Sequence, residues 1–317
     1  MIQKEATNPL LVRYSSNFYN MRLFLLVCLW LIGLPSMAQN PFWFLGQRDG
    51  RYVDKFDAHS SVSLGVGSTN YVGDLAPLGG LTQVGIQSMR WNLGAQFTRH
   101  FSKNFSARFG LSYVRLAGDD NYFDQSGDFS GSYYRNLHFK NDLKELTILG
   151  VFELMGNKEF IRKRPQFSPY IMAGIAAYSH DPMARKDAYT SNGTVMSGDW
   201  ISLHGQNTPS EGNTHSLVGL ALPVGVGFRY RLTDDFDLSF ELMHRVAFSD
   251  YLDDVSDNRN EIAAATSFYT NRSTLRVAPN TLAVRNTTNP GVSPEYSWGV
   301  DQYFTTQIQL VYHIPKK

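Results

Sequence analysis

FSARFGLSY, residues 105–113, alternates strictly between apolar side chains on one face and polar side chains or glycine on the other, and this alternation decides the fold class. Successive side chains of a β-strand point to opposite faces of a sheet, so the stretch predicts a strand with one apolar face. The same alternation returns in FDLSFELMHRVAF, residues 236–248. Along the whole chain the pattern predicts eight strands, near residues 60–68, 84–101, 105–117, 138–154, 167–180, 215–231, 236–248 and 302–314.

The connections between the predicted strands alternate in length. Residues 102–104 and 232–235 are tight turns and residues 156–166 form a moderate one, whereas the other four connections are long. Outer-membrane barrels have short periplasmic turns and long extracellular loops, and their tilted strands need about 9–11 residues to cross the membrane. The sequence therefore predicts an all-β fold, an eight-stranded antiparallel transmembrane up-and-down β-barrel with short periplasmic turns, long extracellular loops and both termini in the periplasm.

A secreted β-sandwich is the soluble alternative, because its strands also alternate. The long strands and the alternating connections count against it. Aromatic residues also bracket the apolar stretches, as in the interfacial girdles of membrane barrels. These brackets are Trp91 and Phe101, Tyr170 and Tyr178, and Phe228 and Tyr230.

The N-terminal residues have the composition of an export signal. Met21 and Arg22 precede an apolar run at residues 23–34, and small residues follow it up to Ala38. This order is typical of a signal peptide, so we expect residues 1–38 to be removed and Met21 to be the true start. Residues 39–58 are then a periplasmic segment ahead of the barrel, which occupies residues 59–317.

Composition and motifs argue against several classes of function. The net charge is +1, which offers no basic face for nucleic acid. The sole cysteine, Cys28, lies in the segment expected to be removed, so no disulfide is expected. No nucleotide loop, GxSxG elbow or HExxH motif occurs, and the histidines are scattered without metal-ligand spacing. We expect no enzymatic activity, no catalytic residue, no cofactor and no resident metal.

An acidic cluster lies at the start of the longest connection, and the sequence leaves open whether it binds Ca²⁺. Asp250, Asp253, Asp254 and Asp257 are oxygen ligands of the kind that Ca²⁺ takes, but their spacing lacks the EF-hand pattern. Asp-rich turns are also common without metal.

The polar faces of the predicted strands carry charges that would line the barrel interior. An eight-stranded barrel is only wide enough for side chains to fill it, and unpaired charges there are costly. We therefore predict a plugged lumen held by an Arg–Glu network, with a narrow ion path as the alternative. The network consists of Arg108, Glu145, Glu153, Arg229, Glu241 and Arg245.

The turn at residues 156–166 concentrates positive charge beside apolar residues. A solvated turn is the simplest interpretation, and a docking surface for an acidic periplasmic partner is the alternative. The residues of this docking hypothesis are Lys158, Phe160, Arg162, Lys163 and Arg164.

Four stretches resemble the PorG-like outer-membrane proteins of Bacteroidetes. They are SLGVGSTNYVGDL at 63–75, RFGLSYVRLAGDD at 108–120, FSPYIMAGIAAYSHDP at 167–182 and ELMHRVAFSDYLDDVSD at 241–257. The resemblance implies a component of the type IX secretion system that contacts a periplasmic ring made of a lipoprotein and its partner. It implies no catalytic residues.

Together these observations predict a membrane-embedded scaffold of the outer membrane. Two other functions stay open from the sequence. One is a barrel that transports a small solute. The other is surface adhesion or ligand binding through the connections at residues 181–214 and 249–300.

Overall fold

A computed structural model describes residues 56, 58–73, 75–76, 86–124, 133, 137–155, 164–185, 198–204, 216–249, 251–253 and 300–315. The chain divides into two compact units, Met1–Val53 and Asp54–Lys317, and all described residues belong to the second. The predicted signal peptide, and residues 39–58 apart from Phe56 and Ala58, therefore lie outside the described residues.

Ten strands and one short 3₁₀ turn make up the described secondary structure. The turn is Asp120–Tyr122. The strands are β1 (His59–Val72), β2 (Arg90–His100), β3 (Phe105–Asp119), β4 (His138–Glu153), β5 (Phe167–Ser179), β6 (Pro182–Arg185), β7 (Trp200–Ser202), β8 (Val218–Arg231), β9 (Phe236–Ala247) and β10 (Gln302–Ile314).

Eight of these strands close into an antiparallel barrel, which confirms the predicted fold. The order around the wall is β1-β2-β3-β4-β5-β8-β9-β10, and β10 returns to pair with β1. This closing seam runs from the pair Ser60 and Ile314 to the pair Val72 and Gln302. Closure matters because a sheet edge exposed in hydrocarbon would leave unsatisfied backbone groups.

The strands differ most from the prediction in two places. β2 begins at Arg90 instead of residue 84, because residues 86–88 form a turn ahead of it. The hairpin of β6 and β7 was not predicted, since strands of four and three residues are too short to show a period. β4 extends beyond the part that pairs with β5, and β6 pairs with this extension at Lys140 and Asn141.

The barrel has two unlike ends. At one end lie the turns after β2, β4 and β8, the start of β1 and the end of β10; we call it the short-turn end. At the other lie the connections after β1, β3, β5 and β9, together with the β6–β7 hairpin; we call it the long-loop end. The described turns 101–104 and 232–235 are tightened by hydrogen bonds to Phe105 O and Phe236 O.

The outer wall of the barrel is apolar, whereas many charged side chains of the described strands point inward. Leu64 and Ile175 on the outer wall are 69% and 62% exposed. The inward neighbours of such residues, Ser63 and Ala176 among them, are buried. Such a wall is favourable against lipid acyl chains, and the protein is therefore an outer-membrane type of barrel. Among the described residues, no helix is long and apolar enough to span a membrane.

The aromatic brackets of β5 were predicted wrongly. Tyr170 and Tyr178 are both 1% exposed and face the lumen, whereas Trp91 and Phe228 lie on the outer wall as expected. The reason lies in the neighbouring strand, where Gly227 pairs with Tyr170 and Gly219 with Tyr178. A Cβ on either glycine would overlap the tyrosine ring, so these glycines make the room that the rings occupy.

Candidate functional site

The interior of the barrel is where the six predicted charged residues meet. All six point inward and none is more than 6% exposed. They form three ion pairs: Arg108 with Glu241, Arg229 with Glu153, and Arg245 with Glu145. The alternation of the strands explains why they face inward, because each occupies a polar-face position of its strand.

Glu241 is the centre of the first group of bonds. It accepts hydrogen bonds from Arg108 Nη1 at 2.5 Å, from Tyr170 OH at 2.6 Å and from Gln309 Nε2 at 2.7 Å. Arg108 lies on β3 and Glu241 on β9, and three strands separate these two in either direction around the wall. The pair therefore crosses the lumen from one side to the other.

Glu145 is the centre of the second group. Arg245 Nε lies 2.9 Å from its Oε2 atom, and Tyr303 OH donates to the same oxygen at 2.6 Å. Arg245 also donates to Thr305 Oγ1 at 2.5 Å. β10, which carries Tyr303, lies directly across the barrel from β4, which carries Glu145. This group therefore crosses the lumen a second time.

Amide side chains add a third connection through the interior. Gln307 donates to Asn92 Oδ1 at 2.7 Å and accepts from Gln309 at 3.0 Å. Gln309 continues to Glu241, so the amides join the β1–β2 side to the charged network. A buried polar group is costly unless it is hydrogen-bonded, and this network supplies partners to Asn92, Gln307, Gln309 and Glu241 across the lumen. Chemically it is a rigid, charge-balanced filling.

An apolar cluster occupies the interior at the long-loop end. Its largest fully buried members include Tyr71, Leu116, Phe139, Leu143 and Tyr303. Two residues of the long connections, Leu75 and Leu252, belong to the same cluster. The connections are thus packed into the mouth of the barrel.

Hydrogen bonds fix these connections in place. Asp301 accepts from Leu252 N at 2.7 Å and from Tyr71 OH, and Asn141 Nδ2 donates to Leu252 O at 2.7 Å. Asp253 is fully buried and accepts from Leu75 N at 3.2 Å. In the acidic cluster, the Asp253 carboxylate therefore accepts a hydrogen bond from a backbone N–H. Asp250, Asp254 and Asp257 lie outside the described residues.

The docking hypothesis changes at Arg164. This residue is 5% exposed, and its guanidinium binds both carboxylate oxygens of Asp237 at 2.6–3.1 Å. It also donates to the backbone carbonyls of Thr233 and Asp234. Arg164 is therefore an internal tie between two turns and does not belong to an exposed docking surface. Lys158, Phe160, Arg162 and Lys163 lie outside the described residues.

Three histidines that are scattered in the sequence meet at the short-turn end. His59, His100 and His313 are all buried, and their ring nitrogens lie within 4.8 Å of one another. Sequence reasoning missed this cluster because it searched for short ligand spacings. The pairing of β1 with both β2 and β10 brings the three histidines together. Only this strand pairing could have indicated the cluster, because the histidines are far apart in the sequence.

Solved structures with a similar fold are outer-membrane barrels. The attachment invasion locus protein Ail of Yersinia pestis, in complex with the heparin analogue sucrose octasulfate, is 11% identical, with a TM-score of 0.37 over 82% of this chain and 100% of that one. Neisserial surface protein A is 8% identical, with a TM-score of 0.37 over 80% and 96%. OprG from Pseudomonas aeruginosa is 10% identical, with a TM-score of 0.34 over 83% and 99%.

These likenesses concern the barrel fold alone. No curated protein matches the chain in sequence. The family model of DUF6089, described as a domain of unknown function, matches residues 55–274, which is more than half of the chain. The protein therefore belongs to the DUF6089 family.

Proposed function

We propose that this protein is a non-enzymatic scaffold of the outer membrane, a closed barrel that anchors partner proteins instead of conducting a solute. The observation that carries the proposal is the double crossing of the lumen by Arg108–Glu241 and Tyr303–Glu145, between strands on opposite sides. An apolar cluster fills the lumen beyond these bonds. A barrel filled in this way acts through its two ends.

The partner class follows from the resemblance to PorG-like proteins. In this proposal the short-turn end and both termini face the periplasm, where the barrel contacts the lipoprotein ring of the type IX secretion system. The short turns support this orientation, because such turns are periplasmic in outer-membrane barrels. The turn after β4 then presents its charges to the ring.

Arg164 sharpens the docking hypothesis. It ties the described end of this turn to Asp237 and to the turn after β8, and the proposal assigns it no contact with a partner. The contact itself is assigned to Lys158, Phe160, Arg162 and Lys163. An experiment on docking must leave Arg164 unchanged, because its loss would unpair the buried Asp237.

Affinity capture from gently solubilised outer membranes tests the docking role. The test variant is Lys158→Glu with Arg162→Glu and Lys163→Glu. The matched control reverses three charges in the long connections, Lys186→Glu with Arg272→Glu and Arg276→Glu. Wild type and control should co-purify the ring lipoprotein and its partner, identified by mass spectrometry, and the test variant should lose them.

Equal capture by all three forms would remove the docking turn from the proposal. If no ring protein were captured with wild type while the barrel stayed intact, the secretion role would be wrong.

Planar bilayer recording tests the closed lumen separately. The purified barrel should show no steady conductance, because charge-balanced side chains occupy its axis. Steady, large single-channel currents would instead support transport of a small solute.

A further inference from the structure

We propose that His59, His100 and His313 form a binding site for a divalent transition-metal ion that clips the closing seam of the barrel at the short-turn end. The proposal does not depend on the partner of the docking turn or on the type IX secretion role. It uses residues that neither the charged network nor the apolar cluster requires.

The strand register places the three imidazoles on one wall of the lumen. His59 opens β1 and is the direct cross-strand partner of His100, the last residue of β2. On the other side of β1, His313 pairs with Ser61, two residues further along the same face. One ion bound here would therefore hold β2, β1 and β10 together.

The three rings contact one another, and the stacked rings of His59 and His100, with planes 17° apart, must turn before both point a nitrogen at one ion. His59 stacks on His100 with ring centroids 4.4 Å apart, and His313 is tilted towards both rings at 5.3 and 5.7 Å. His313 Nδ1 lies 3.3 Å from His59 Nε2. A tetrahedral zinc ion with bonds of about 2.0–2.1 Å separates two ligand nitrogens by about 3.3 Å, so this pair already has ligand spacing.

Hydrogen-bonding neighbours orient two of the three rings. His313 Nε2 is 2.7 Å from Asp237 Oδ2, and Arg164 holds that carboxylate on both oxygens. A proton on Nε2 leaves the Nδ1 lone pair facing His59, which is the carboxylate–histidine–metal arrangement found at metal sites. His100 Nδ1 lies 2.7 Å from Ser106 Oγ, which accepts a hydrogen bond from that nitrogen when it carries the proton.

His100 then offers its second nitrogen to the ion. Its Nε2 lies 3.0 Å from Ser61 Oγ, a hydroxyl that can rotate away or take the fourth position itself. The ligand nitrogens of the three residues lie within 4.8 Å of one another. To reach the spacing of about 3.3 Å found around a tetrahedral ion they must approach by up to about 1.5 Å, which a rotation of the His100 side chain supplies.

The chemistry of the ligands selects the class of ion. Three imidazoles without thiolate suit zinc, copper or nickel, and they are too soft and too few in oxygen for calcium or magnesium. Three buried arginines lie near these histidines, and each is paired with a carboxylate, Arg164 with Asp237, Arg229 with Glu153 and Arg108 with Glu241, so they add no net charge against the ion. Zinc is the first ion to test.

Zinc retention by the full-length barrel, purified with a tag that contains no histidine, tests the site. The protein in detergent is stripped with a chelator, given zinc, passed over a desalting column and analysed for bound metal. Wild type should keep about one zinc per chain, and His59→Gln and His100→Gln should bind at least tenfold more weakly.

His244→Gln is the matched control. This histidine stacks on Phe304 and bonds to Gln302 away from the cluster, so the variant should bind zinc like wild type. Equal zinc retention by His59→Gln and wild type, or none by wild type, would overturn the proposal.

A measurement on wild type alone guards against variants that fail to fold. Cobalt in a tetrahedral site with three imidazoles absorbs visible light strongly, whereas a solvated octahedral ion absorbs weakly. The chelator-stripped barrel should gain the strong bands on addition of cobalt and lose them when zinc competes. Only weak absorption would overturn the site irrespective of any substitution.

Thermal unfolding tests the clip. Zinc that binds only the folded barrel must raise the midpoint of thermal unfolding of wild type and of His244→Gln. It must leave the midpoint of His59→Gln unchanged. A midpoint that zinc does not move in wild type would contradict a stabilising role.

Discussion

The two halves of the lumen are filled by different chemistry. Towards the short-turn end, buried side chains such as Arg108, Glu241 and Gln309 form bonds that cross the barrel. Towards the long-loop end, Phe139 and Leu143 pack with Leu252 of the connection after β9. The division is not complete, because a small apolar cluster around Leu149 and Met172 lies beside the charges.

The difference teaches how a membrane barrel obtains stability from its interior. The outer wall faces lipid, which is as apolar as a protein core, so the barrel depends on the backbone hydrogen bonds between its strands and on the packing inside its lumen. In the apolar half, a substitution that shortens a side chain lowers the unfolding free energy in proportion to the volume of the cavity it leaves. The charged half depends on every partner, because one missing carboxylate leaves a buried cation unpaired. Three substitutions test this contrast.

Glu241→Ala should have the largest effect. The change removes the acceptor of Arg108, Tyr170 and Gln309 and leaves the guanidinium buried without a carboxylate. Breaking a buried pair in this way costs roughly 3–5 kcal/mol of unfolding free energy. Urea unfolding in lipid vesicles, followed by tryptophan fluorescence, measures the loss.

Ser239→Ala is the control for that experiment. Ser239 lies two residues away on the same lumen face of β9, and its Oγ has no hydrogen-bond partner among the described residues. Its loss should change the unfolding free energy by less than about 1 kcal/mol. Equal small effects of both substitutions would show that water solvates Arg108 and that the lumen is open.

Leu143→Ala should have an intermediate effect. Leu143 is fully buried in the apolar half, and its truncation leaves a cavity that costs about 2–4 kcal/mol. Leu146→Ala, on the lipid face of the same strand, should cost less because acyl chains refill the space. The same unfolding measurement compares the two, and an equal loss at both positions would argue against a packed plug at the long-loop end.

Arg115→Ala should have the smallest effect. The pair Arg115–Asp142 resembles the interior pairs in distance, at 2.6 Å, but its side chains are 30% and 26% exposed. Partly exposed pairs contribute about 1 kcal/mol or less, and salt screens them. The unfolding free energy should therefore fall by less than about 1 kcal/mol, and by less still at high salt. A loss as large as that of Glu241→Ala would mean that burial does not govern these pairs.

Much of the fold could be predicted because strands are recognised from the polarity of neighbouring residues. A strand needs only alternate residues of one polarity, so β3, β9 and β10 end within two residues of their predicted bounds. The six lumen charges could be named for the same reason. Their partners could not, since Arg108 and Glu241 are 133 residues apart and meet only when the barrel closes with one particular stagger.

The errors have the same origin. Tyr170 faces inward because Gly227 on the next strand leaves room for its ring, a cause that lies outside β5. Arg164 belongs to a basic turn in the sequence, yet it is buried because it forms an ion pair with Asp237 on β9. Neither outcome is visible in the periodicity of a single segment.

By itself, the sequence determined an eight-stranded barrel with an apolar outside and a charged inside, because side-chain alternation is a property of neighbouring residues. The tertiary structure alone decided which charges pair across the lumen, which residues cap it, and that His59, His100 and His313 meet at one end. These outcomes depend on the stagger between strands far apart in the chain, a quantity that closure of the whole barrel sets.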